Sequence, residues 1–207
     1  MTKLLRLSTL LVCVLLVAGV GYGQTIVGSD HDFSNENWNN TGEICIVCHT
    51  PHNADASVQD APLWNHELTT ATYTLYNSGT FDATAGQPDG SSKLCLSCHD
   101  GTVAVDNFGS RTNGNEFVSG DKLIGTDLSN DHPVSFVYDA SLATTDGGLF
   151  DPATANSGLG GTIDQDLLIS SKVQCASCHD VHNGSGLGKL LRISNSGSGL
   201  CLTCHNK

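Results

Sequence analysis

Residues 45–52 read CIVCHTPH. Two cysteines separated by two residues and followed at once by a histidine form the attachment signature of a c-type haem. In such a site both thiols bond to one edge of the macrocycle, and the adjacent imidazole ligates the iron. The spacing therefore predicts a covalent haem held by Cys45 and Cys48, with His49 as its first axial ligand.

The same signature occurs three more times, at residues 95–99, 175–179 and 201–205. Paired zinc sites and a disulfide framework are the alternatives, since CxxC pairs occur in both. Neither explains a histidine directly after every second cysteine. The sequence thus predicts four covalently bound haem c groups. The attachment residues are Cys45, Cys48, Cys95, Cys98, Cys175, Cys178, Cys201 and Cys204, and the proximal iron ligands are His49, His99, His179 and His205.

The first 23 residues have the pattern of an export signal. Lys3 and Arg6 precede an apolar run over residues 7–20. Gly21-Tyr22-Gly23 follows as the expected cleavage site, with Gln24 as the first mature residue. This run is shorter than the roughly 20 apolar residues that span a bilayer, so no integral membrane span is expected in the mature chain. Cleavage removes Cys13 and leaves eight cysteines, all within the four motifs. The pattern predicts haem attachment outside the cytoplasmic membrane.

The chain is acidic, with a formal net charge of −12. Loss of residues 1–23 removes two of the nine basic residues and none of the 21 acidic ones. Nucleic acid is excluded as a partner, because its binding depends on Lys and Arg neutralising phosphates. Cationic proteins, cations or further copies of the chain remain, and the alternative is an acidic surface that only maintains solubility.

The second axial ligands are expected to be histidines. Met1 is the only methionine and is lost with the signal, so Met/His ligation is excluded. With no vacant iron, the chain is expected to transfer electrons and not to be an enzyme. Five histidines lie outside the motifs, which is enough for bis-histidine ligation of four irons: His31, His52, His66, His132 and His182.

An internal repeat selects among these histidines. The pattern CxxCHxxHN occurs at residues 45–53 and 175–183, and LCLxCH occurs at 94–99 and 200–205. We predict one domain over residues 24–207, built from two dihaem modules at about 24–105 and 106–207. Each of His52 and His182 is too close to its own motif to cap that haem and should reach a neighbouring one. His31 could cap a haem in its own chain or in the next copy. The repeated distal ligands are His31, His52, His132 and His182, with His66 as an alternate.

The length available for each haem determines the expected fold. Residues 24–207 provide only about 46 residues per haem, so the macrocycles are expected to form the core. No stretch shows sustained helical periodicity. We expect a mostly irregular fold with short helices around the motifs and few short strands. Residues 24–42 are predicted to be an extended arm, residues 134–138 a strand, and residues 139–166 a long loop.

Three segments together resemble the doubled-CxxCH multihaem cytochromes c: CIVCHTPH at 45–52, KLCLSCHDGT at 93–102 and DHPVSF at 131–136. With four haems and an export signal, the chain is similar to the tetrahaem outer-surface cytochromes of metal-reducing bacteria, some of which polymerise into extracellular nanowires. The resemblance implies bis-histidine ligation of every haem, a continuous haem stack, and a distal histidine that an adjacent subunit can donate.

The predicted function is electron transport along a chain of haems, in an extracellular or outer-surface protein that self-associates into filaments. Expected partners are other c-type cytochromes or extracellular electron acceptors. A monomeric periplasmic shuttle is the nearest alternative. A multihaem oxidoreductase subunit is disfavoured, because such an enzyme needs an open iron and every motif here ends in histidine.

Overall fold

The computed structural model describes residues 26–206. The predicted export signal, including Cys13, lies outside the described residues, as does Gln24, the predicted first mature residue. Within the described range, no helix has the length and apolar character needed to cross a membrane.

Regular structure is sparse and consists of short elements. The α-helices are Gly90–His99, Ala140–Asp146, Ile163–Asp166, Cys175–Cys178 and Gly199–Cys204. Single 3₁₀ turns occur at Phe33–Asn35, Cys45–Val47, Gly120–Lys122, Gly188–Leu190 and Ser196–Ser198. The two strands, Phe136–Val137 and Lys172–Val173, pair antiparallel, and the first lies within the predicted strand at 134–138. The prediction of a mostly irregular fold with short helices and few short strands is confirmed.

The helix Gly90–His99 is the longest described element and carries the second motif. It ends at His99, and Gly101 just beyond it has a φ of +74°, a left-handed conformation that favours glycine. A Cβ at this position would lie 2.7 Å from Leu123 Cδ1, so no larger residue fits without displacement. The left-handed turn at Gly101 reverses the chain direction immediately after the motif histidine.

The prediction of a structureless loop at residues 139–166 was wrong. Two helices form there, and each begins at a side chain that accepts a backbone N–H. Asp139 accepts from Leu142 N, and Thr162 forms a capping box with Gln165. Such caps satisfy the free N–H groups of a first turn, which stabilises helices too short to show apolar periodicity.

The N-terminal arm is also not extended over its described part. Asn39, 5% exposed, donates its side-chain amide to the carbonyls of Phe33 and Glu43, which folds the segment into successive turns. The rings of Phe33 and Trp38 are 5.4 Å apart, and Trp38 contacts Phe108 at 6.3 Å. Local side-chain hydrogen bonds replace the extended conformation that the polar composition had suggested.

Among residues 26–206, most of the buried apolar side chains group into three small clusters instead of one continuous core. The largest contains Phe136, Tyr138, Ala143, Ile163, Leu167 and Val173. The other two are Val58, Trp64 and Leu94, and Tyr73, Leu96 and Leu128. Hydrophobic stabilisation scales with the apolar area removed from water. Clusters of three to six side chains therefore contribute little stabilisation to a chain of this length.

A polar junction joins the segment before the second motif to the segment before the third. The Gln174 side chain donates to Asp89 Oδ1 at 2.8 Å and accepts hydrogen bonds from Ser92 and from Ser135. Lys172 forms an ion pair with the same aspartate. These contacts pack the helices Gly90–His99 and Cys175–Cys178 against each other.

A buried carboxylate anchors the chain after the second motif. Tyr73 Oη and Thr69 Oγ1 each donate to Asp100 Oδ2 at 2.6 Å. We expect Tyr73→Phe to lower the free energy of unfolding by about 1.5–3 kcal/mol, because a hydrogen bond to a buried charged group is lost. Denaturant unfolding followed by circular dichroism measures this change. Tyr76→Phe is the control, since within residues 26–206 the Tyr76 hydroxyl makes no hydrogen bond; equal losses in both variants would contradict the assignment.

Candidate functional site

Each motif folds as a turn of helix that brings its three functional side chains to one side. In three of the motifs the histidine N–H bonds to the carbonyl of the first cysteine: His49 to Cys45 at 2.8 Å, His179 to Cys175 at 3.1 Å, and His205 to Cys201 at 3.0 Å. Residues three and four positions apart lie on the same face of a helical turn. The two sulfurs and the imidazole therefore face a common space beside the turn.

Backbone carbonyls fix the rings of three motif histidines. The hydrogen bonds from Nδ1 are His49 to Pro62 O (2.6 Å), His99 to Lys122 O (2.8 Å), and His179 to Lys189 O (2.9 Å). A carbonyl can only accept, so the proton is on Nδ1 and the lone pair is on Nε2. This arrangement orients a metal-ligating histidine and raises its basicity. The three carbonyl acceptors were not predicted from the sequence.

Three motif histidines face a histidine from elsewhere in the chain. The ring-centroid distances are 6.2 Å for His49 and His182, 6.1 Å for His31 and His99, and 6.4 Å for His132 and His205. Two metal–nitrogen bonds of about 2 Å, together with the two ring radii, give a separation of about 6 Å. The spacing of each pair fits an iron held between two imidazoles.

His31 carries a second indication of ligation. Its Nδ1 atom is buried without a hydrogen-bond partner among the described residues. Burial, followed by the neighbouring His99, lowers the pKa of His31 to about 4. A neutral imidazole is the form that binds a metal. The ring therefore lies beside the second motif of its own chain in a state suited to ligation.

Exposed apolar side chains flank the motif histidines. Leu63, 58% exposed, directly follows Pro62, which holds the first motif histidine. Leu123 and Ile124, 44% and 41% exposed, follow Lys122, which holds the second. Large exposed apolar groups beside a cleft commonly mark a ligand-binding surface. A haem is a large apolar plate, so apolar side chains at these positions would suit its faces.

Three histidines of the described range, His52, His66 and His179, make no ring contact with another histidine. Within residues 26–206, the rings of His52 and His179 make no contact with a second imidazole, although Lys189 orients His179 in the same way as its counterparts. No group of three Cys, His, Asp or Glu side chains in this range is arranged to hold a metal ion. The eight motif cysteines form no disulfide among the described residues.

The alternate candidate His66 has a different environment. It is 3% exposed, and its two ring nitrogens lie 2.7 Å from Glu67 O and 3.0 Å from Ala104 O. Its Nε2 is also 3.5 Å from Cys98 Sγ. Both nitrogens thus face carbonyls, which supports a role in positioning the segment behind the second motif.

The two halves repeat the same hydrogen bonds after their first motif. In each half the chain returns and pairs with the motif through two backbone bonds. These are Thr50 N to Leu63 O (2.9 Å) and Asn65 N to Cys48 O (2.9 Å) in the first half, and Asp180 N to Leu190 O (2.7 Å) and Arg192 N to Cys178 O (2.9 Å) in the second.

The residues after the two CxxCHxxH patterns also match. His52 is followed by Asn53 with a φ of +56°, and His182 is followed by Asn183 with a φ of +55°. Asparagine tolerates this left-handed conformation better than most residues. His52 and His182 therefore occupy equivalent positions in the two halves, by conformation as well as by sequence.

The cysteines of successive motifs lie close together. Contact between the thiols of Cys95 and Cys175 raises the pKa of the first and lowers that of the second to about 7. Burial and then Cys48 raise the pKa of Cys98, and Cys201 is among the groups that raise the pKa of Cys178 after burial. Together with the packing of helix Gly90–His99 against helix Cys175–Cys178, these influences indicate that successive motifs are neighbours in a series.

A family model described as the doubled CXXCH motif matches residues 169–207, which contain the third and fourth motifs. The match supports a multihaem c-type cytochrome family. Its motifs indicate covalently bound c-type haem, and the family suggests electron transfer rather than enzymatic catalysis. No curated protein matches the chain with significance.

Proposed function

We propose that the chain is a tetrahaem c-type cytochrome that carries electrons along its four motifs. The proposal rests on three histidine pairs, in each of which the distance between the ring centroids would allow an iron between the two imidazoles. Each motif would hold one haem c through two thioethers and its histidine, and the group supplies reversible one-electron chemistry. At the three motifs with paired histidines, imidazoles on both faces would leave no open position for a substrate.

The protein side chains would perform three tasks. The CxxCH cysteines hold each macrocycle, the carbonyls of Pro62, Lys122 and Lys189 orient the proximal imidazoles, and the surrounding apolar side chains exclude water. The close series of motifs supports transfer from one neighbour to the next. Bis-imidazole ligation favours lower potentials than Met/His ligation, which suits the export of respiratory electrons.

We further propose that the protein acts outside the cell or at its outer surface and assembles into filaments. The support is the likeness to tetrahaem outer-surface cytochromes together with the pattern of residues 1–23. A monomeric periplasmic shuttle is the competing arrangement. Electron microscopy of the exported protein distinguishes them, because discrete particles at every concentration would exclude filaments.

The haem count is the direct test of the function. We expect the intact mass of the exported protein to equal that of residues 24–207 plus four haems, with a c-type absorption spectrum. We also expect carbon monoxide to bind the reduced, fully assembled protein negligibly, because every iron would be six-coordinate. A mass with fewer than four haems, or strong carbon monoxide binding in the assembled state, would contradict the proposal.

A further inference from the structure

A buried carboxylate directly follows the second motif histidine. Asp100 is 4% exposed, and its two oxygens accept four hydrogen bonds, all from uncharged groups. Tyr73 Oη and Thr69 Oγ1 each donate to Oδ2 at 2.6 Å. The backbone N–H and the hydroxyl of Thr102 donate to Oδ1 at 2.7 Å and 2.8 Å. An ionised carboxylate only accepts hydrogen bonds, so four donors on its two oxygens indicate a buried anion.

The donors around Asp100 stabilise its charge but do not neutralise it. Thr69 Oγ1 accepts from the N–H of Ala71 at 3.1 Å, so its own proton is directed to the carboxylate. Burial, and then the hydrogen bond to Asp100, raise the pKa of the Tyr73 hydroxyl, which therefore keeps its proton and donates it. Within residues 26–206 no cation forms an ion pair with Asp100. The full negative charge thus acts on its surroundings.

The corresponding position in the other three motifs has no buried charge. The residues that follow the first and fourth motif histidines, Thr50 and Asn206, are uncharged. Asp180 follows the third, but its side chain is 32% exposed and is screened by water. Asp106, the other buried carboxylate of the described residues, is paired with an arginine at 2.8 Å. The second motif therefore differs from the others in its electrostatic environment.

The charge of Asp100 lies close to the groups of the second motif. Its N–H bonds to Leu96 O at 2.9 Å, which continues the motif helix by one residue beyond His99. After burial and Cys48, Asp100 is among the groups that raise the pKa of Cys98. Two exposed charges beside the same motif, Lys122 and Asp30, are paired with each other at 3.2 Å and largely cancel.

We propose that the buried charge of Asp100 lowers the reduction potential of the haem at the second motif, so that this haem is the last of the four to be reduced. A ferric haem has one more positive charge than a ferrous haem, so a nearby anion in a low-dielectric interior stabilises the oxidised form. The inference rests on the proposed haem ligation and deepens it, because it gives the series of haems unequal potentials.

A spectroelectrochemical titration tests this inference, on preparations that mass spectrometry shows to carry four haems. Asp100→Asn keeps the size of the side chain and removes its charge, so the most negative of the four reduction steps should move to higher potential. A unit charge about 10 Å away, at an effective dielectric constant of about 20, shifts an equilibrium about tenfold. For a one-electron step this factor is about 59 mV. The shift should persist at about 1 M salt, because buried charges are screened much less than exposed ones.

Two control variants separate the buried charge from other causes. Asp121 is exposed and lies next to Lys122, whose carbonyl accepts the hydrogen bond of the His99 ring. Asp121→Asn removes the same formal charge from the solvent side, so we expect no reduction step to move. Tyr73→Phe keeps the charge of Asp100 and removes one donor. The charge is then less compensated, so the most negative step should move lower, opposite to the effect of Asp100→Asn.

Three results would overturn the inference. The first is an unchanged most negative step in Asp100→Asn, and the second is an equal shift in Asp121→Asn. The third is an unchanged or higher step in Tyr73→Phe, which would assign the potential to packing and not to charge. If Asp100→Asn does not retain four haems, Tyr73→Phe decides by the same criterion. A wild-type protein with fewer than four haems would instead contradict the proposed function, so the two failures are distinguishable.

Discussion

Replacing all eight motif cysteines with serine is expected to leave the exported chain unfolded. The buried apolar side chains of the described residues group mainly into three small clusters, and large side chains such as Leu63 and Phe117 are more than half exposed. Ordering each residue costs about 1–2 kcal/mol of backbone entropy, which clusters of this size do not offset. The missing apolar area is that of the proposed haems.

Circular dichroism and thermal unfolding measure this effect. We expect the serine variant to show a coil spectrum, no cooperative transition and rapid proteolysis, whereas the haem-loaded protein unfolds cooperatively. Cys45→Ser is the matched control, because it removes one of two thioethers from a single haem and should retain the fold. A cooperative transition in the chain without haem would show that the polypeptide has a sufficient core of its own.

His182→Ala is expected to convert one haem in four from six-coordinate to five-coordinate. His182 faces His49 at 6.2 Å with an interplanar angle of 20°, and alanine has no nitrogen to replace it. The reduced variant should bind carbon monoxide at one haem and show a high-spin signal in the oxidised state. Absorption and electron paramagnetic resonance spectra measure both changes.

His66→Ala is the control for this experiment. The His66 ring is buried, which lowers its pKa and favours the neutral form, and its one N–H donates to the carbonyl of either Glu67 or Ala104. Its loss should therefore destabilise the fold without changing the coordination of any iron. We expect the free energy of unfolding to fall by about 1–3 kcal/mol, as is usual when buried polar groups lose a partner. The opposite pattern, with a five-coordinate haem in His66→Ala and none in His182→Ala, would show that His66 is the distal iron ligand and His182 is not.

The sequence was a good guide wherever chemistry requires a fixed spacing. The two thioether bonds and the proximal imidazole of one haem must come from adjacent positions, so the CxxCH motifs predict their own function locally. The internal repeat predicted four distal ligands. In the structure three of them, His31, His132 and His182, lie beside a motif histidine. The sequence did not predict that the arm packs on Phe108 through Trp38, because this contact depends on the tertiary fold. It also did not predict the short capped helices at residues 139–166, which lack apolar periodicity.

The sequence by itself determined the attachment motifs, the histidine inventory and the sparse secondary structure, because each depends on residue identity and short-range spacing. Only the tertiary structure decided which imidazoles meet, since His31 and His99, or His49 and His182, are far apart in the chain and come together through packing. It also decided the carbonyls that orient the motif histidines. A backbone acceptor is present at every residue, and its position depends on the fold alone.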